Sequence, residues 1–274
     1  MPAEDLPPIL TGKNYSSPSV FTPENLLREA RRQKGISRAP VPEVCVLDPD
    51  GDVVRQMKAA GRALRHEGWA CYHTELYVIE EAGLTFGIVG CAVGASFAVL
   101  VAEELFASGC RLLISITSAG QLLDRQAPPY FILIERALRD EGTSYHYLPP
   151  SPYSEAPRDI VERLAEAFSD LAVPVLRGAT WTTDAPFRET QQAVDAMRRR
   201  NLLAVEMEAA ALYAFARTRA KPVICFAHVT NQMGQIEGDF EQGHADGTTD
   251  ALAIVVRATQ YLLEQLHASE CGGS

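Results

Sequence analysis

Residues 84–120 read LTFGIVGCAVGASFAVLVAEELFASGCRLLISITSAG. LTFGIVG is a short apolar run that ends in small residues between Gly90 and Gly94. SFAVLVAEELFASG has the length and composition of a helix and stops at Gly109. RLLISITSAG is a second apolar run, again ending in turn residues. Strand, helix and strand in this order are the unit of a sheet covered by helices. The strands lack polar alternation, as expected where both of their faces are covered.

The same alternation continues in both directions. Before this unit, PEVCVLDP reads as a strand and Val53 to Leu64 as a helix. After it, YFILIERAL is a strand and RDIVERLAEAFSDL an amphipathic helix with apolar residues at helical spacing. VPVLRGATWTTD is strand-like, FRETQQAVDAMRRR helical, and LLAVEME a strand end. MEAAALYAFARTRA is an Ala-rich helix, KPVICFAHVT a strand, and TTDALAIVVRATQYLLEQL a long terminal helix. The expectation is an α/β protein whose central sheet carries helices on both faces. Residues 1–40 form an extension rich in Pro and Ser with one helix. Thr22 is its N-cap, Pro23 its first residue, Glu24 suits the positive end of its dipole, and Gly35 stops it. Its cationic cluster Arg28, Arg31, Arg32 and Lys34 reads as a solvated face. Residues 41–268 form a single domain and 269–274 a flexible tail.

The chain has 274 residues, with 25 Lys and Arg against 35 Asp and Glu, a formal charge of −10. This balance argues against nucleic acid as partner, which needs a basic stripe to displace counterions. No apolar run reaches the roughly 18 residues of a membrane span. The first residues, MPAEDLPPILTGK, have neither the basic nor the apolar region of a secretory signal. The six cysteines are scattered, without zinc-type spacing. A reduced, cytoplasmic protein is expected.

In open α/β sheets, ligands bind at the carboxyl ends of strands. Five loops there are candidates. In Asp48-Pro49-Asp50-Gly51-Asp52-Val53-Val54-Arg55, Gly51 lets backbone N–H groups approach an anion at a helix start, and Arg55 can fork onto an oxyanion. A turn capping a helix uses the same residues. Gly90 to Ser96 is small enough for close packing or for the approach of a ligand; it lacks the dinucleotide fingerprint. In Ser115-Ile116-Thr117-Ser118-Ala119-Gly120, Ser118 and its backbone can donate to an anion. In Val205-Glu206-Met207-Glu208-Ala209-Ala210, a carboxylate can accept from two vicinal hydroxyls, as on a ribose, with Met207 against the sugar. In His228-Val229-Thr230-Asn231-Gln232, an amide can both donate to and accept from a heterocyclic base. Acids at a helix start and an Asn in a turn also have ordinary structural uses.

Val205-Glu206-Met207-Glu208-Ala209-Ala210-Ala211 resembles the V-E-M-E-[AGS]-A stretch of the trimeric and hexameric nucleoside phosphorylase family. This family takes in uridine phosphorylases, bacterial purine nucleoside phosphorylases and methylthioadenosine nucleosidases. The order of the other loops agrees. Gly51-Asp52-Val53-Val54-Arg55 is similar to the family's G-D-P-x-R phosphate loop. Gly90 to Ser96 resembles its G-x-G-x-G-x-P-S turn in degraded form, and Thr117-Ser118-Ala119-Gly120 its T/G-[ST]-[AT]-G turn. Arg139 to Tyr147 is most like a branch near uridine phosphorylase. The resemblance covers residues 42–268 and implies a three-layer α/β/α fold with a central mixed sheet.

The implied activity is phosphorolysis of a ribonucleoside, pyrimidine or 6-oxopurine, to free base and ribose 1-phosphate. A phosphate-independent nucleosidase and a non-catalytic nucleoside-binding protein are the alternatives. By resemblance, Glu208 binds the ribose hydroxyls, Met207 packs on the sugar and Glu206 supports the pocket. Gly51, Arg55 and Ser118 hold phosphate, and the backbone near Val93 and Gly94 passes close to the nucleoside. Arg55, Glu208 and Asn231 carry the catalysis. No metal or organic cofactor is implied, only inorganic phosphate as co-substrate. The implied assembly is a homo-oligomer, a dimer or a trimer of dimers.

Two departures bear on this. Phosphorolytic members place an Arg where Ser115 stands, and the phosphate Arg given by a neighbouring subunit has only Arg65 or His73 as counterparts. Purine-specific members use an Asp where Asn231 stands, and an amide cannot serve as a general acid. The Q-x-R loop with which uridine phosphorylases read uracil matches Thr182 to Glu189, which keeps Arg188 but no Gln; Gln232 is the substitute. Trp181 or Phe187 can stack on a base, or pack in the core.

Overall fold

The computed structural model describes residues 6–234 and 237–271. The terminal segments start from local chemistry. In α1 (Pro23–Lys34) the Thr22 hydroxyl accepts from the Asn25 N–H at 3.3 Å, and Gly35 ends the helix at φ +66°. Leu27 and Ala30 bury one stripe of α1 against Ala70 and Ala107. Lys34 is not part of a purely solvated face, because its ammonium donates to the carbonyls of Ala70 and Cys71.

The sheet among the described residues has ten strands. These are β1 (Val44–Asp48), β2 (Leu64–Arg65), β3 (Tyr77–Glu81), β4 (Leu84–Gly90), β5 (Leu112–Gln121), β6 (Tyr130–Asp140), β7 (Tyr153–Glu155), β8 (Val175–Thr183), β9 (Ala204–Glu206) and β10 (Val223–Asn231). The order is β10-β6-β8-β9-β5-β1-β4-β3-β2, with β7 beside β6. The sheet is mixed. β1 is parallel to β4 and β5, and β10 is parallel to β5 but antiparallel to β6. Because β10 also pairs with β5, strands β5, β10, β6, β8 and β9 close a ring.

Helices α2 (Asp52–Ala59), α5 (Arg158–Arg163) and α8 (Thr248–Cys271) pack together on one side of the sheet. Helices α1, α3 (Ala95–Ala107), α4 (Ser144–Tyr147) and α7 (Ala209–Arg219) lie on the other, and α6 (Gln191–Arg199) packs beside β8 and β9 through Val194. This is the three-layer α/β/α arrangement with a central mixed sheet. Among the described residues no helix is long and apolar enough to cross a membrane.

The core under the site is anchored by α7. Leu212, Tyr213 and Phe215 are fully buried, each contributing about 1.5–3 kcal/mol in removing its apolar surface from water. The Tyr213 hydroxyl donates to the Ile134 carbonyl at 2.6 Å and accepts from the Cys225 N–H at 3.0 Å. That clamp ties α7 to β6 and β10 and so fixes where its N-terminus sits.

Three of the expected helices differ from the sequence reading, and the strands β2, β3 and β7 were not expected. The helix expected over 158–171 ends at Arg163, and the chain goes on through i→i+3 hydrogen bonds that still bury Leu164, Ala167 and Phe168. The helix expected from Phe187 is split: a short 3-10 turn holds Pro186–Arg188, and Thr190 caps α6 by accepting from the Ala193 N–H. The helix expected to reach Leu64 ends at Ala59. Of the tail expected at 269–274, residues up to Cys271 continue α8, and 272–274 lie outside the described residues.

Candidate active site

The junction of β9 and α7 presents the two acids of the V-E-M-E stretch. Both are buried, and they are held differently. Glu206 accepts from the hydroxyls of Thr180 and Thr182 at 3.0 and 2.5 Å with one oxygen, and from the N–H groups of Glu208 and Ala209, both at 2.7 Å, with the other. Its carboxyl caps the N-terminus of α7, where free N–H groups and the helix dipole favour an anion. Burial lifts its proton affinity, and the hydrogen bonds act against that rise. Glu208 accepts from the Gly94 N–H at 2.7 Å and from the Thr117 hydroxyl at 2.8 Å. Burial, and next the charge of Glu206, push its pKa up to about 8. The turn at Gly94 lies directly over it, and Val93 beside it is exposed. A carboxylate oxygen has lone pairs left after one bond, so Glu208 keeps capacity for hydroxyl donors.

A cavity of about 290 Å³ opens beside this junction. Met207 and Glu206 line it, together with Ser118, Gly120, Phe187, Glu189, Asn231 and Met233. Glycine at 120 leaves room for the cavity's side chains: a Cβ there would stand 2.6 Å from the Met233 sulfur and 3.4 Å from the Asn231 oxygen. Asn231 gives one N–H to the Thr230 hydroxyl at 3.0 Å and takes the Met233 N–H on its oxygen at 2.9 Å, which leaves one amide N–H without a partner among the described residues.

Of the expected phosphate residues only Ser118 lines a second, smaller cleft, which it shares with the cavity; Gly51 and Arg55 belong to the loop whose Asp50 and Asp52 form its wall. Gly51 adopts φ +79°, and a Cβ there would come 2.6 Å from the Cys91 sulfur, so this turn requires glycine. Arg55 is committed to its own loop: it donates to the Asp50 carbonyl at 2.8 Å and pairs with the Asp52 carboxylate. The two donors expected of Ser118 are also taken. Its N–H and hydroxyl donate to the Asp50 carboxylate at 2.7 and 2.9 Å. Asp48, Asp50, Asp52 and Asp246 all line this cleft, so its field is acidic. His228 lines it too; burial lowers its pKa to about 4 and it stands there uncharged. Ser115 is enclosed within β5 and does not line either space.

The remaining base residues do not all converge. Trp181 is 3% exposed, packed with Leu138, Val194 and Leu202, and its indole N–H donates to Asp140 at 2.9 Å. That ring belongs to the interior, not to the cavity wall. Arg188 and Gln232 are exposed and do not line the cavity, whereas Phe187, 99% exposed, sits at its rim. Arg65 is on the edge strand β2 and pairs with Glu75 at 3.0 Å; His73 is exposed against Phe97.

Residues 28–266 match the family model described as the phosphorylase superfamily. The chain belongs to that superfamily. A guanosine phosphorylase of Halorubrum lacusprofundi is 28% identical over 137 residues, 50% of this chain and 57% of that one. The chain thus spans little more than half the length of that relative. A uridine phosphorylase of Thermococcus kodakarensis is 27% identical over 209 residues, 70% of this chain and 72% of that one. Among solved structures, uridine phosphorylase from Vibrio fischeri complexed with 6-hydroxy-1-naphthoic acid superposes with a TM-score of 0.67 at 21% identity, over 82% of this chain and 92% of that one. A second structure of the same protein gives 0.66 at 22% identity. This likeness shows that the fold is the one those phosphorylases have.

Sequence reasoning passed over three side chains of the site. Thr117 reads in the sequence as one residue of a turn, yet its hydroxyl holds Glu208. Asp50 was read as a turn residue; its neighbour in space is 68 residues away, and no local signal marks it. Glu189 follows Arg188 in a short turn, and no local signal marks its carboxyl as part of the cavity wall.

Proposed function

We propose that this protein cleaves the N-glycosidic bond of a ribonucleoside by phosphorolysis, giving free base and ribose 1-phosphate. The observation that carries the reading is the gathering of three kinds of group at one cavity or directly behind its wall, where Glu208 is buried. Glu208, next to Met207, offers acceptors for vicinal hydroxyls. Asn231 offers an amide N–H to a base, and Ser118 lies where a nucleophile would approach from the cleft that Asp50 and Asp52 line. Membership of the phosphorylase superfamily and the guanosine and uridine phosphorylases among its relatives support the same reaction.

In this reading a phosphate oxygen attacks the anomeric carbon while the C–N electron pair leaves with the base. Positive charge on the sugar in the transition state lies near the carboxyl oxygens of Glu206 and Glu208, dipoles held in place by their hydrogen bonds that need no rearrangement. Asn231 cannot donate a proton, so it serves the base through a hydrogen bond. That suits bases that leave as stabilised anions, uracil or a 6-oxopurine. Inorganic phosphate is the only co-substrate, the assembly is a homo-oligomer (a dimer or a trimer of dimers), and the site of action is the cytoplasm.

One observation favours a second reading. The carboxylate of Asp50 occupies the Ser118 donors, and the expected Arg is Ser115. Water held there would give its proton to Asp50, and the reaction would be hydrolysis. Base release from nucleosides with and without phosphate, followed by chromatography, separates the two. Phosphorolysis requires phosphate and yields ribose 1-phosphate; hydrolysis proceeds without it and yields ribose.

A further inference from the structure

We infer that the acidic cleft takes phosphate as the dihydrogen monoanion, and that His228 accepts a hydrogen bond from one of its P–OH groups. This rests on the reading of phosphate as co-substrate. Among the described residues no Lys or Arg lines the cleft, and its wall carries Asp48, Asp50, Asp52 and Asp246. Arg55 is held by Asp52 and by the Asp50 carbonyl. His228 lies on β10 directly beside Ser118 of β5 in the strand register. Its ring stacks on Phe131 with centroids 4.3 Å apart, and a Cβ at Gly247 would come 2.3 Å from its Cε1. Phe131 and Gly247 together fix where the ring sits. The residue is 7% exposed, and its buried Nε2 has no hydrogen-bond partner among the described residues. Burial lowers the ring's pKa to about 4, so it stands neutral. A buried nitrogen left unpaired costs folding free energy, and a ligand that fits it offsets that cost.

The form of the anion follows from the groups that meet it. With Asp50 on Ser118 the cleft has a volume of about 20 Å³, room for about one water. Phosphate enters as Asp50 leaves, and the Ser118 N–H and hydroxyl then serve its oxygens. The wall around them is acidic, so each further negative charge on the ligand is repelled. With its proton on Nδ1, the imidazole offers Nε2 as an acceptor, which only a hydroxyl can fill. The phosphate monoanion carries a single charge and two hydroxyls. The dianion adds a charge and keeps one hydroxyl. Sulfate has the shape of phosphate, two charges and no hydrogen to give. The expected order of binding is monoanion, dianion, sulfate. Asp48, whose pKa burial raises to about 7, adds charge to the same wall as pH rises through neutrality. Sulfate, which does not change its own charge there, separates that effect from the proton on phosphate.

The test is the phosphate KM for base release below, at and above neutrality, with sulfate as competing inhibitor. It is run on native protein, His228→Asn and His228→Gln, with melting temperature alongside. In native protein sulfate should bind about 10-fold or more weaker than phosphate at neutral pH, the size expected when a buried polar group is left unpaired. That advantage of phosphate should shrink as pH rises and the monoanion is lost. His228→Asn, too short to reach the place of Nε2, should raise the phosphate KM about 10-fold and leave sulfate inhibition within a few-fold. His228→Gln, which brings a carbonyl near that place, should recover part of the affinity. Sulfate that binds as well as phosphate, a ratio of the two that ignores pH, or a folded His228→Asn with native phosphate KM overturns the inference while phosphorolysis still stands. The first two readouts need no variant. If base release ignores phosphate, the functional reading fails. Calorimetric titration of native protein and His228→Asn with phosphate and with sulfate then decides the cleft by itself: a phosphate preference that falls with pH and is lost in the variant supports the inference, and equal binding or none overturns it.

Discussion

Replacing Asp50 with Ala asks for which oxyanion the donors of Ser118 exist. In the free protein the Asp50 carboxylate holds the Ser118 N–H at 2.7 Å and the hydroxyl at 2.9 Å. Phosphate that uses these donors must first displace the carboxylate and then sit beside it. Two unit charges about 4 Å apart repel by roughly 4 kcal/mol at an effective dielectric near 20. Ser118 and Asp50 are only partly buried, so water and salt reduce this, and about 1.5–3 kcal/mol is a fair remainder. That equals about 10- to 100-fold in phosphate affinity. Asp50→Ala also breaks a tie between the loop before α2 and strand β5, which costs about 1–2 kcal/mol of stability. The assay is the initial rate of base release against phosphate at saturating nucleoside, with thermal melting in parallel. The KM for phosphate should fall about 10-fold or more while kcat stays within a few-fold. An unchanged or higher KM in a folded variant refutes the reasoning. Loss of all base release without loss of folding also refutes it, and makes Asp50 the proton acceptor of a hydrolytic reaction.

Other changes separate binding from support. Glu208→Gln should lower kcat/KM by about 100-fold or more, since an amide nitrogen that only donates replaces one of the oxygens offered to the vicinal hydroxyls; activity within a few-fold of native would exclude a ribose role. Burial raises the Glu208 pKa to about 8 from the ordinary 4.5 of a free glutamate. The folded state therefore holds its proton where the unfolded state has released it, and stability falls as pH rises between these values, by at most about 1.4 kcal/mol per pH unit. Urea unfolding across that window should show a shallower slope in Glu208→Gln than in native protein. Trp181→Phe loses the hydrogen bond to Asp140 and should cost about 1–2 kcal/mol of stability with nucleoside KM unchanged; a raised KM without a stability change would put the indole at the base after all. Gly120→Ala pushes the Met233 side chain, which can move, into the cavity; nucleoside KM should rise several-fold and the melting temperature should shift little.

What was legible in the sequence was what is local or repeated. The apolar runs of β1, β4, β5, β6, β8, β9 and β10 announced themselves because covered strands have little polar alternation. Thr22 and Gly35 marked α1 through the chemistry of the two caps. Strands β2, β3 and β7 escaped notice because they are short or lie at the sheet edge, where neighbours and not composition decide pairing. The over-extended helix at 158–171 had the right buried face, and only its hydrogen-bond ladder changes; the Ser169 hydroxyl bonds the Glu166 carbonyl in that stretch. The V-E-M-E stretch pointed to the cavity but could not show that Glu206 is spent on capping α7 while Glu208 meets Gly94 and Thr117. The pairing of Asp50 with Ser118 and the lack of a partner for the His228 Nε2 among the described residues are tertiary facts. Neither follows from spacing, and they bear most directly on the nucleophile.

The most direct test of the account is base release from guanosine, inosine and uridine with and without inorganic phosphate, with the sugar product identified by mass spectrometry. The account predicts release that depends on phosphate, with ribose 1-phosphate formed in equal amount to the base. Equal release without phosphate, with free ribose as product, would contradict it.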